Sequence, residues 1–81
     1  MAKYRYLIVI EKASNNYSAY VPDLPGCITT GKDLKEIHRN MQEAIALHLE
    51  GMARSNEPIP EPVETLTDYV EVDVPAQRVP A

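Results

Sequence analysis

Eighty-one residues suffice for one small domain and not for two. Twelve acidic residues against eight basic ones give a net charge of −4, which excludes the basic footprint of an unspecific nucleic-acid binder and suits a basic partner protein. A single cysteine, Cys27, rules out a disulfide within the chain and fits a reducing compartment.

A chain of this length buries only about 60% of the surface it exposes when unfolded, so association with copies of itself or with a partner is expected to supplement the core. No apolar run approaches the roughly 20 residues of a membrane span. The N-terminal "MAKYRYLIVIEK" has too short an apolar centre, Leu7 to Ile10, for a signal peptide, and no small-residue cleavage site follows it. The chain reads as soluble and cytoplasmic, with one domain over residues 1–81.

"KYRYLIVIEK" (3–12) is rich in β-branched and aromatic residues and predicts a first strand. A period of two sends Tyr4, Tyr6, Ile8 and Ile10 to one face and Lys3, Arg5, Leu7, Val9 and Glu11 to the other. "ASNN" (13–16) is a turn, and 16–21 predicts a second strand with Tyr17, Ala19 and Val21 opposite Ser18 and Tyr20. Pro22 cannot donate to a ladder and ends that strand. Pro25-Gly26 suits the central positions of a type II turn, so residues 22–26 form a hairpin connection into a short third strand over 27–30.

Asp33 is a good N-cap, with Glu36 at the capping-box position. At 100° steps Leu34, Ile37, Met41, Ala44, Ile45, His48, Leu49 and Met52 share one side, which predicts a helix over 33–54 with one apolar stripe. Asn56 fits a left-handed residue just past its end. "EPIPEP" (57–62) predicts an extended linker. "DYVEVDV" (68–74) alternates cleanly, Val70, Val72 and Val74 against Tyr69, Glu71 and Asp73, and predicts a fourth strand before a tail over 75–81. The order is βββαβ, an α+β fold with one helix on one face of a small, mostly antiparallel sheet.

Residues that bear chemistry are few and scattered. His38 and His48 are ten positions apart and about 80° apart in helical phase, so they cannot share a metal as an i, i+4 pair would. Cys27 has no partner cysteine and no cause for a lowered pKa, and reads as a small core residue. Glu36, Glu43 and Glu50 recur every seven residues, as on a solvated helix face. Asp23 sits in a turn, where an aspartate commonly bonds its own backbone. No phosphate-binding glycine loop, Ser–His–Asp spacing or zinc pattern is present. A residual nuclease would have to use Asp23 and helix carboxylates with Mg²⁺; without a carboxylate constellation the chain reads as non-enzymatic, with no cofactor and no metal.

Leu47 falls on the polar side of the helix. Leu7, Val9 and Tyr20 lie on the sheet face that one helix cannot cover. These four are the candidate association surface.

The stretch Tyr20-Val21-Pro22-Asp23-Leu24-Pro25-Gly26-Cys27, with Thr29-Thr30-Gly31, Asn40, Glu43-Ala44 and Ile59-Pro60-Glu61-Pro62, resembles the HicB-like antitoxin family over residues 4–75. The resemblance implies a partial RNase H-like fold without the nuclease's metal-binding carboxylates, whose last strand lies beside the first. It also implies dimers or larger homo-oligomers, and a toxin–antitoxin role: masking the active surface of a HicA-like toxin, a small basic RNA-cleaving protein. Full-length members carry a C-terminal helix-turn-helix or ribbon-helix-helix domain. A chain ending at Ala81 leaves no room for one, so direct binding to DNA or RNA is not expected, nor to a membrane. The alternative is an orphan homo-oligomer with no toxin partner. The Pro22, Asp23, Leu24, Pro25, Gly26, Cys27 turn is expected to be structural, with apolar Leu24 at its tip as a possible contact point.

Overall fold

The computed structural model describes residues 3–77. Three four-residue strands, β1 (Val9–Lys12), β2 (Tyr17–Tyr20) and β3 (Ile28–Gly31), form an antiparallel sheet in the order β1-β2-β3. One helix, α1 (Leu34–Arg54), follows and packs across β3 and β2 without reaching β1. The α+β class and the meander-then-helix order are those read from the sequence.

The register fixes both faces. Ile10, Ala19 and Thr29 line up on the helix side, and Val9, Tyr20 and Ile28 on the other. Ala19, Val21, Leu24, Cys27, Ile37 and Met41 form the buried core, with Ile37 and Met41 fully enclosed. Tyr6, Ile8, Ala44, Ile45, Leu49 and Met52 pack around it, partly buried. The apolar stripe of the helix is therefore the packed one, except for Leu34, which sits at the first helical position and stays exposed.

Both helix ends are chemically defined. The Asp33 side chain accepts the Glu36 backbone N–H at 2.7 Å, and the Glu36 carboxylate accepts the Lys32 N–H at 3.4 Å. At the far end Asn56 has φ +56°, and the N–H groups of Asn56 and Glu57 donate to the carbonyls of Ala53 and Met52. That is a Schellman motif with asparagine in the left-handed position. Along the helix Asn40 donates its amide to the Thr30 carbonyl at 2.9 Å and ties α1 to β3.

Gly31 sets how closely α1 approaches the sheet. A Cβ placed there would lie 2.8 Å from the Ile37 backbone nitrogen and 2.9 Å from its Cα. Backbone atoms cannot swing aside as a side-chain tip can. Any larger residue would push the helix off β3.

Two sequence expectations need correction. Residues 3–8 do not extend the first strand in a paired ladder, because β2 ends at Tyr20 and Pro22 beyond it has no N–H to donate. The fourth strand expected over 68–74 is absent. Alternation specifies a strand with two unlike faces, but not which edge will supply its ladder. After the helix the chain is held at two points: the Tyr6 hydroxyl donates to the Pro60 carbonyl at 2.5 Å, and Asp23 accepts the Val63 N–H at 3.1 Å. Beyond them the chain leaves the body. The radius of gyration is 17.2 Å and the extents are 58 × 27 × 24 Å, against a radius of about 12 Å for a compact chain of this length.

Two outcomes test this account. Gly31→Ala should lower unfolding free energy by about 1–3 kcal/mol, as overpacking does. Gly51→Ala, at a helical position with open space around its Cβ, should instead stabilise by up to about 1 kcal/mol. Urea titrations of both variants measure the contrast, and a neutral Gly31→Ala would disprove the close-contact argument. Separately, burial pushes the Cys27 thiol pKa up. The folded chain holds that proton to higher pH than the unfolded chain, so the thiol's contribution to stability declines as pH rises through the ordinary thiol range, about 8.5, toward the raised value. A thiol reagent at pH 8 should label Cys27 only as fast as the protein opens; labelling at the rate of a free thiol would contradict its burial.

Candidate interaction surfaces

The "VPDLPGC" stretch folds as two successive turns. The Leu24 N–H donates to the Val21 carbonyl at 3.0 Å across Pro22-Asp23. The Cys27 N–H donates to the Leu24 carbonyl at 3.1 Å across Pro25-Gly26, and Gly26 has φ +84°. The second turn is thus the type II turn that proline followed by glycine favours. The Val21 N–H closes the hairpin on the Cys27 carbonyl at 3.2 Å.

This geometry overturns the placement of Leu24 at an exposed tip. Held between the two turns, its side chain points inward and is only 1% exposed, in the same core cluster as Ile37 and Met41. Pro22, Pro25 and Gly26 form the outer rim, and Cys27 is buried beneath it. Asp23 has a task that the sequence did not disclose. Its carboxylate bonds the backbone of Val63, forty positions away, and so docks the segment after the helix onto the hairpin. Burial, then the neighbouring Tyr4 and Asp23, raises the Tyr6 pKa and keeps its hydroxyl a donor to Pro60.

The four association candidates divide between two surfaces. Val9 and Tyr20 are cross-strand partners on the sheet face away from the helix, with Leu7 further along the same chain segment. The register adds Ile28, opposite Tyr20 and 70% exposed. The sequence reading missed Ile28; counting strand positions outward from the Pro25-Gly26 turn would have found it. An uninterrupted apolar row, Val9–Tyr20–Ile28, therefore crosses all three strands on the open face.

Leu47 lies elsewhere, on the helix. It is 68% exposed and borders a shallow groove with Leu24, Pro25, His48, Met52 and Pro60. His48 is half-buried on that groove and His38 is exposed. Glu43 and Glu50 are exposed, Glu50 pairing with Arg54 one turn on, while Glu36 serves the helix start. Among the described residues no three His, Cys, Asp or Glu side chains converge to hold a metal ion, and no helix is long and apolar enough to cross a membrane.

Charge is segregated along the chain. Residues 57–74 carry Glu57, Glu61, Glu64, Asp68, Glu71 and Asp73 with no lysine or arginine, whereas the N-terminal arm carries Lys3 and Arg5. The C-terminal arm is also apolar and uncovered: Leu66, Tyr69, Val70, Val72 and Val74 are all exposed, Tyr69 to 97%.

Comparison with known proteins places these features in a family. The chain is 44% identical over 82% of its length to an uncharacterized 14.9 kDa protein of Haemophilus phage HP1, and the aligned stretch spans only about half (51%) of that protein. It is 42% identical over 69% of its length to a UPF0150 protein of Thermoplasma acidophilum, of which 83% is covered. Its structure is similar to a chain of a HicA3 and HicB3 toxin–antitoxin complex, with a TM-score of 0.66 and 33% identity, covering 74% of this chain and 70% of that one. The model of the HicB-like antitoxins of bacterial toxin–antitoxin systems matches residues 6–75, from the arm that holds Pro60 through the double turn, the helix and the acidic segment, and the chain belongs to that family.

Proposed function

We propose that this chain is an antitoxin-type binding module that neutralises a small, basic, RNA-cleaving toxin of the HicA kind by covering its active surface. It acts in the cytoplasm by binding, not by catalysis, and without contacts to nucleic acid or membrane. The observation that carries this reading is the likeness, at 33% identity, to a chain of the HicA3 and HicB3 complex.

Physical features of the chain support it. A net charge of −4 favours encounter with a basic protein. The open sheet face offers an apolar centre, Val9, Tyr20 and Ile28, flanked by polar positions such as Glu11, Ser18 and Thr30. An apolar core with a polar rim is the composition of a protein-binding patch. The carboxylates, by contrast, are dispersed or committed to backbone N–H groups, as Asp23 is to Val63.

The test is to pull down the tagged chain from its own cells and identify captured proteins by mass. A small basic protein at near-stoichiometric yield, whose RNA cleavage stops at one equivalent of this chain, is the expected result. Tyr20→Asp with Ile28→Asp should leave the circular dichroism spectrum unchanged, because both side chains are exposed. The pair should weaken the complex by at least about tenfold, or 1.4 kcal/mol. Recovery of the bait alone, at an oligomeric mass, would replace the toxin reading with that of an orphan homo-oligomer.

A further inference from the structure

The chain has three glycines, and two of them have a reason inside the fold. Gly26 takes φ +84° in the type II turn, and Gly31 lets Ile37 rest against β3. Gly51 has no such reason. It sits inside α1, where glycine is the poorest helix former after proline, and a Cβ built on it would meet no atom within 4 Å. Its missing side chain makes room for no contact within the described residues. What it leaves open is the groove beside it.

That groove has fixed walls. One is the second half of α1, with Leu47, His48 and Met52, and the other is the double turn and the segment after the helix, with Leu24, Pro25 and Pro60. Leu24 is anchored in the core, the Tyr6 hydroxyl holds the Pro60 carbonyl, and Asp23 holds Val63 three residues on. Walls ordered in advance lose little further freedom when a ligand enters. The space is about 530 Å³, enough for a large apolar side chain and part of its chain neighbours. The rim is acidic. Glu43 and Glu50 flank Leu47 one turn to either side, and Glu57 lines the groove itself. Among the described residues that line it, none is lysine or arginine. The flanking cations of the helix, Arg39 and Arg54, are each about two turns from Leu47, and Arg54 is paired with Glu50.

Charge decides the occupant. The chain's own 68–74 segment is apolar enough, but Asp68, Glu71 and Asp73 would meet like charge at the rim, and a second copy at net −4 would do the same. A basic protein meets opposite charge there. We propose that the groove docks an extended basic segment of a partner protein, one apolar side chain entering between Leu47 and Pro60 with lysine or arginine on either side of it. The main chain of that segment crosses over Gly51, where no Cβ stands in its way. The docking rests on the basic partner proposed above and adds a contact apart from the row Val9–Tyr20–Ile28.

The experiment places photo-reactive benzoylphenylalanine in the full chain within its own cells, at Ser55 on the groove or, separately, at Ile28 on the open face. On illumination the Ser55→benzoylphenylalanine chain should join a basic protein, at a peptide in which an apolar residue is flanked by lysine or arginine. Filling the groove by Gly51→Trp should cut that yield by about tenfold with an unchanged circular dichroism signal from the helix. Glu43→Lys with Glu50→Lys should lower it as well, by reversing the rim charge. Gly51→Ala should lower the yield while raising the urea midpoint, a pairing of opposite signs that a merely structural glycine would not produce. A crosslink from Ser55 only to another copy of this chain, or an unchanged yield in Gly51→Trp, would overturn the proposal. A basic protein joined at Ile28 and not at Ser55 would overturn it and leave the toxin reading standing. No basic protein at either position would end both.

Discussion

The close approach of Ile37 to Gly31 governs the rest of the molecule. The missing Cβ at Gly31 lets the first turn of α1 rest directly on the end of β3, within 3 Å of where that carbon would be. From that contact Ile37 and Met41 enter the same buried cluster as Leu24 and Cys27. The Asp33 cap, two residues past Gly31, works toward the same end by starting the helix at Leu34, so that Ile37 is turned toward the sheet. A core of six buried side chains tolerates little displacement, because interiors pack to crystal-like density and each lost contact is uncompensated.

Most of this was legible in the chain. The helix and its ends follow from Asp33, the 3.6-residue stripe and Asn56, all local signals. The type II turn follows from Pro25-Gly26 for the same reason. What escaped was non-local. The inward direction of Leu24 depends on a second turn stacked against the first, and the bond from Asp23 to Val63 spans forty residues, which no window of sequence contains. Ile28 escaped because its exposure depends on the register with Tyr20. Val9 and Tyr20 were placed on one sheet face by alternation alone, as the register has them, yet Leu47, grouped with them by exposure, borders the helix groove instead.

The 68–74 segment is the most informative discrepancy. Its pattern is that of a strand, and the family resemblance placed it beside the first strand, but a period of two encodes only that the segment has two unlike faces. Whether the ladder is supplied within the chain or by another chain is set by the route from α1. Here that route is pinned at Pro60 and Val63. The alternation over 68–74 therefore marks two unlike faces and nothing more, and the sheet of the described residues closes without it.

Division of labour between the two sheet faces then follows from size. One 21-residue helix covers two of three short strands on one face and none of the other. The free β1 edge and the open face are different surfaces, so filling one leaves the other available. Both stay uncovered for one reason: the described residues contain a single helix, and it packs on β3 and β2 from one side only.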